Sequence, residues 1–277
     1  MGISAVIIAK DEADRIRPCL NSVDWAEEIL VVLDDTTTDA TEQICHAAGA
    51  KVLRHPWLGY SRQRQLALES AGQEWVLMID ADERVTPELR AEIQTLLASP
   101  SPCEAYSINR RTLLWGREIR CRYPDTQLRL FRRTAGYYPD CAVHEGWVGK
   151  CPQAPHGRLN SDLLHDSYRS FLHLVKKFDE YAELAAGDLA RSGRDINLRL
   201  AVWRACFTFC KYHLFKGGIR DGAPGLAYNL AHAYYVFLKY ARAYELRLHP
   251  PGDARQPEII PSSATSTSDR QQEVSIR

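Results

Sequence analysis

The sequence predicts an open, doubly wound α/β sheet followed by a helical region. Two observations carry this. Over roughly the first hundred residues, short and nearly continuous apolar runs alternate with helical patterns. From Tyr168 onward the pattern is helical alone. Runs without polar alternation suit strands covered on both faces, the usual condition of a parallel sheet.

The elements follow in order. Ile3–Ala9 (ISAVIIA) is the first run, rich in β-branched residues, and Ile16, Leu20 and Val23 recur after it at helical spacing. Residues 29–33 (ILVVL) are the second run, and Ala40, Ile44 and Ala47 mark a helix with Gly49 as its C-terminal cap. Asp39 stands where it can cap that helix at its start. Residues 51–54 are a weaker run, and Leu66 and Ala67 sit in a helix ending near Gly72. Residues 75–79 (WVLMI) form the next run, and Pro87 after Thr86 opens a helix carrying Leu89, Ile93 and Leu96. Beyond Pro100, residues 105–109 and 127–131 alternate like strands. Phe171, Leu174, Phe178, Tyr181, Ala185 and Leu189 then form one helical stripe, closed by Gly193. Helices are expected at 198–215 and 225–246, and a disordered, Pro-, Ser-, Thr- and Gln-rich tail from Pro250.

Composition narrows the function. The 277 residues carry 35 Lys and Arg against 35 Asp and Glu, so global charge gives no reason to expect a nucleic-acid partner. No apolar run reaches the ~18 residues of a spanning helix. The eight cysteines contain no CxxC pair, which reads as reduced thiols in a cytoplasmic protein.

In open α/β sheets, ligands bind outside the carboxyl ends of the strands. Three of the apolar runs end there in acid: Asp11-Glu12, Asp34-Asp35 with Asp39, and Asp80-Ala81-Asp82-Glu83. A phosphate-cradling glycine loop is absent from all three. Carboxylates so placed suit a divalent cation, Mg²⁺ or Mn²⁺, and through it a diphosphate. Any one cluster alone reads as well as helix capping as it does as a site; three at successive strand ends read as a site.

These segments, SAVIIAKDEADRIRPCLNSV, EEILVVLDDTTTDAT, AKVLRHPWLGYSRQRQLALESAGQEWVLMIDADERV and YPDTQLRLFRR, together resemble the family 2 glycosyltransferases of the GT-A fold. Within that family the chain is most similar to the lipopolysaccharide core glucosyltransferases, over roughly residues 3–245. The resemblance implies a UDP-sugar donor and transfer of a hexose, glucose above all, to an inner-core heptose or similar glycolipid. A polyprenyl-phosphate glycosyltransferase and a nucleotide-sugar-binding module without catalysis are the alternatives. The resemblance also assigns roles. Glu12 would face the uridine, Asp34 would contact the uracil, Asp80 the ribose and Asp82 the metal, with Arg64 and Arg129 among the donor-binding residues. The Asp34–Ala40 loop (DDTTTDA) lacks the glycines usual in the family, and Gln65 stands where relatives often carry Asn.

An inverting displacement needs a base for the acceptor hydroxyl. Ala142-Val143-His144-Glu145-Gly146 resembles the family's Val-His-Glu segment, which makes Glu145 the base and His144 a diphosphate or metal contact; Asp125 is the alternative base. Cys141, His144, Cys151 and His156 have a spacing that could hold zinc, but without a tight CxxC half, and the resemblance uses His144 otherwise. Eight arginines between Arg110 and Arg133 read either as a solvated face or as a site for an anionic ligand.

The resulting division is a GT-A domain over 1–165, with a nucleotide-sugar half (1–109) and an acceptor half (110–165). A helical region (166–249) and the tail (250–277) follow. The stripe Val202, Trp203, Cys206, Phe207, Cys210 and Leu214 is expected to pack mostly on the catalytic core, with a membrane-surface patch as the functional reading. A membrane surface would then be a further partner, on the cytoplasmic face of a bacterial inner membrane.

Overall fold

The computed structural model describes residues 1–140, 146–151 and 153–249. The chain runs β1 (Ile3–Ala9), α1 (Ile16–Ser22), β2 (Glu28–Asp34), α2 (Thr41–Ala47), β3 (Lys51–His55), α3 (Tyr60–Ser70), β4 (Trp75–Asp80), β5 (Glu83–Val85) and α4 (Pro87–Leu97). It continues through β6 (Ala105–Leu114), β7 (Arg117–Glu118), β8 (Asp125–Arg132), β9 (Gly136–Tyr137), β10 (Val148–Gly149) and β11 (His156–His165). The helices α5 (Phe171–Arg191), α6 (Leu198–Phe209) and α7 (Gly222–Leu248) complete it.

The main sheet has the order β3-β2-β1-β4-β8-β6-β11-β5, with β7 added on β6. The strands β3, β2, β1 and β4 are mutually parallel. All seven residues of β1 are buried, and they divide by parity. Ile3, Ala5 and Ile7 pack with Leu20, Cys45 and Ile93 on one side of the sheet, while Val6 and Ile8 pack with Ala67 and Leu68 on the other. Two apolar faces are why the run shows no alternation. The second half departs from the parallel pattern, because β8 runs antiparallel between β4 and β6. The division at 109/110 falls inside β6 rather than between elements.

The local signals act as their chemistry predicts. Gly49, at φ 75°, follows α2, and the Ala50 and Gly49 N–H groups bond back to the Cys45 and His46 carbonyls, a Schellman closure. Thr86 accepts from the Leu89 N–H ahead of Pro87. Asp39 does not cap across a turn; it accepts from the Thr41 N–H at 2.9 Å and from the Ala13 N–H at 3.0 Å, tying the loop after β1 to the loop after β2.

In the helical region Leu174, Phe178, Tyr228 and Ala231 pack against Leu114 at the end of β6 and against Ile119 and Cys121, which follow β7. The α5 stripe follows a slightly different line from the expected one: Ala182 and Ala186 are buried, whereas Phe171 and Tyr181 are exposed. For α6 the expected packing fails. Ala201 is its one buried residue, and Val202, Trp203, Cys206, Phe207 and Leu214 all stand half-buried or exposed. Hydropathy period predicts that an apolar face exists, not that a neighbour covers it. The chain from 210 widens into a π-helical turn (Cys210–Phe215), whose Phe215 is 83% exposed.

Candidate active site

The strand order brings the acidic ends together. In the sheet β1 lies between β2 and β4, with Ala9 beside Leu33 and Ile8 beside Asp80. Asp11 and Glu12, Asp34, and Asp80 and Asp82 therefore line one edge, at the point where the chain order of the parallel strands reverses.

Each carboxylate is held differently. Asp34 is almost fully buried; it accepts from the Thr36 N–H at 2.8 Å and from Thr36 Oγ1 at 2.7 Å, and Lys10 lies 3.3 Å away. The Thr36 hydrogen bond, with Lys10 beside it, outweighs burial and keeps its pKa below the ordinary carboxylate value. Glu12 is the opposite case: burial raises its pKa despite Arg169 at 2.8 Å and Arg15 at 3.3 Å.

Asp80 opens a chain of alternating charges. Arg64 meets its Oδ1 at 3.0 Å and Arg129 its Oδ2 at 2.7 Å. Arg129 also meets Glu83 at 2.7 Å; Arg110 meets Glu83 at 3.1 Å and Asp125 at 2.6 Å. Burial works to raise the Asp80 pKa, but Arg129, Arg64 and Arg110 hold it far below the usual range. Arg129, expected among the donor contacts, is buried and bound to both Asp80 and Glu83. Asp125 is likewise kept ionised: burial is outweighed by Arg110 and by the Gln127 hydrogen bond at 3.0 Å.

Asp82 faces another way. Its Oδ1 lies 3.5 Å from His165 Nε2, and its Oδ2 lies 3.6 Å from Arg15. Burial opposes ionisation, and the His165 ring overcomes it. His165 ends β11, beside Glu83 of β5 on one side and Thr112 of β6 on the other. The sequence reading missed it. β11 carries a register shift between Arg158 and Asp162, which breaks the alternation that would mark it as a strand. The expected metal contact His144 and the expected base Glu145 lie outside the described residues, as does Cys141 of the zinc spacing.

Most of the arginine run is engaged internally. Arg110 and Arg129 serve the chain above; Arg111 pairs with Asp162, Arg120 with Glu118 and Arg132 with Glu74. Arg122 lies 4.5 Å over the Tyr212 ring. Such pairing fits a structural face better than an anion site.

The donor set at Asp82 suits a divalent cation. Among the described residues no three His, Cys, Asp or Glu side chains cluster as metal ligands. One carboxylate and one imidazole facing each other would suit a Mn²⁺ ion taking its other ligands from a diphosphate and water, whereas Mg²⁺ would use the carboxylate alone.

A parallel α/β sheet with carboxylates gathered at its strand ends, mixed antiparallel strands beyond them and a separate helical region make up a GT-A-like fold. The family model "Glycosyl transferase family 2" matches residues 4–145. An uncharacterized glycosyltransferase of Rickettsia typhi is 32% identical over 89% of this chain and 88% of its own length. The lipopolysaccharide core biosynthesis glycosyltransferase LpsC of Rhizobium meliloti is 31% identical over 88% and 92%. The chain belongs to the family 2 glycosyltransferases and is an enzyme of that class. Among solved structures, glucosyl-3-phosphoglycerate synthase from Mycobacterium tuberculosis with Mn²⁺, UDP and phosphoglyceric acid covers 70% of this chain and 79% of its own, at TM-score 0.45 and 15% identity.

Proposed function

We propose that this enzyme is an inverting, cation-dependent transferase that moves a hexose, glucose first, from a UDP-sugar to a lipopolysaccharide inner-core heptose or similar glycolipid. The observation that carries the reading is the gathering of Glu12, Asp34, Asp80 and Asp82 at neighbouring strand ends, with His165 against Asp82. Carboxylates accept hydrogen bonds from uracil N3–H and from ribose hydroxyls, which is the part proposed for Glu12, Asp34 and Asp80. Lys10 lies over Asp34, so a base reaching Asp34 displaces that ammonium. Asp82 and His165 would hold the cation, with His144 retained as a further contact. When bound, that ion neutralises charge on the diphosphate.

The acceptor oxygen attacks the anomeric carbon, the bond to the diphosphate breaks, and a carboxylate takes the acceptor proton. Glu145 is the proposed base. Asp125, the alternative, is held by Arg110 with a depressed pKa, which weakens it as a proton acceptor. LpsC is named for lipopolysaccharide core biosynthesis, which supports the acceptor class.

A lipid-linked acceptor also accounts for the surface of α6. Residues 198–220 carry five Lys or Arg and no acid, among exposed Trp203, Phe207, Leu214, Phe215 and Ile219. We read this as a face that rests on anionic lipid; no described helix is long and apolar enough to cross a membrane.

The test is UDP release from a panel of nucleotide sugars, with a heptose-containing core as acceptor, in Mn²⁺, Mg²⁺ or EDTA. Metal-dependent release with one UDP-sugar supports the reading. Equal release in EDTA, or none with any donor, contradicts it.

A further inference from the structure

Beside the acidic edge lies a pocket of about 290 Å³, near the lower end of small-molecule sites. Its lining is mostly charged: Arg15, Arg84, Arg169, Asp14 and Asp166 line it, together with Trp115.

Trp115 is held there against local preference. Trp115 and Gly116 form the two-residue turn between β6 and β7, with Leu114 paired to Arg117. Their φ values are 54° and 71°. Positive φ at both central positions is the type I′ turn, which favours Asn-Gly and is strained for a bulky aromatic. The indole is nonetheless 53% exposed, 6.3 Å from the ring of Phe171, itself partly exposed. A strained, solvent-facing Trp contributes little to the core and presents a flat apolar face.

The wall complements a polyol. Arg84 meets Asp166 at 3.2 Å and Arg169 meets Asp14 at 2.9 Å. Both pairs are partly exposed and so weak enough to open. Each sets a planar guanidinium donor beside a carboxylate acceptor, and adjacent sugar hydroxyls both donate and accept. Arg15 and Arg169 link this wall to the donor edge, since their guanidinium groups also meet Glu12, and Arg15 lies 3.6 Å from Asp82. Neither Glu12 nor Asp82 lines the pocket.

We propose that this pocket seats a pyranose ring of the acceptor glycan, its C–H face on Trp115 and its hydroxyls between the Arg84–Asp166 and Arg169–Asp14 pairs. The proposal rests on the glycosyl-transfer reading and adds the place where the acceptor sugar sits.

The test uses the full chain and a delipidated, heptose-containing core oligosaccharide. Saturation-transfer NMR and titration measure saccharide binding, and calorimetry measures UDP affinity with Mn²⁺. Trp115→Asn removes the platform while suiting the turn, so the fold is kept; Trp115→Phe retains an aromatic face. The expected result is a saccharide affinity at least tenfold weaker in Trp115→Asn, within about threefold of wild type in Trp115→Phe, and UDP affinity unchanged in both. Equal saccharide affinity in Trp115→Asn overturns the subsite, as does failure of the wild-type protein to bind the oligosaccharide. A parallel loss of UDP affinity in Trp115→Asn also overturns it, because the pocket would then belong to the donor. If wild-type protein binds the saccharide but not UDP, the donor reading fails and the subsite stands.

Discussion

The acidic edge of the sheet and the outer face of α6 are both unusual surfaces, built on opposite principles. At the edge, charges are partly or fully buried and each has a partner: Arg64, Asp80, Arg129, Glu83, Arg110 and Asp125 alternate in sign along one chain. On α6, apolar rings are exposed and unmatched by any acid between residues 198 and 220. Burying charge is costly unless every group is paired, so the edge is intolerant of change. Exposing a ring costs folding little, so α6 is free to serve something outside the protein.

The largest expected effect lies in the charge chain. Arg129→Ala leaves Asp80 and Glu83 without their shared partner, and Glu83 is fully buried. Denaturant unfolding should show a loss of ~3–5 kcal/mol. A loss below about 1 kcal/mol would mean that the edge is not held by pairing.

The two helices sharpen the contrast. In α4, Leu89 is fully buried under the sheet, and Leu89→Ala should cost ~2–5 kcal/mol. In α6, Phe207 is half exposed, and Phe207→Ser should change stability by no more than about 0.5 kcal/mol. The same Phe207→Ser protein should sediment less with vesicles containing anionic lipid. Unchanged sedimentation would remove the lipid role of this face.

A titration separates the regions further. His232 packs among Phe178, Tyr212, Tyr228 and Tyr235, and burial, with Arg122 and Lys239 nearby, lowers its pKa to about 4. The unfolded chain protonates first, near pH 6.5. The stability that neutral His232 contributes is thus complete above about pH 6.5 and is lost as pH falls toward 4, an effect of ~1–3 kcal/mol. Asp80, with its pKa depressed much further, keeps its contribution throughout that window. Thermal unfolding of His232→Phe between pH 7 and 4 should be flatter than wild type, and equal slopes would contradict the assignment.

The same contrast explains what was legible in the sequence. Ile3–Ala9 and the runs after it were readable because two apolar faces leave no polar position, and the acids stood directly at their ends. Gly49 and Thr86-Pro87 were readable because caps are local chemistry. His165 was not, because it closes a strand whose alternation is interrupted and meets Asp82 only through tertiary pairing. The short β5 was missed because three residues after an acidic turn carry too little pattern. For α6 the period was correct, but no period states which neighbour lies opposite. The arginine run was ambiguous for the same reason: Glu83, Glu74 and Asp162 are distant in sequence and close in space.

Asp82 and His165 are proposed as the cation-binding end of a nucleotide-sugar site. Calorimetric titration of UDP in the presence and absence of Mn²⁺ tests it most directly, on the wild-type protein, Asp82→Ala and His165→Ala. Mn²⁺ should tighten UDP binding at least tenfold in the wild type, and either substitution should abolish the Mn²⁺ effect. Mn²⁺-enhanced binding that persists in both variants would contradict it.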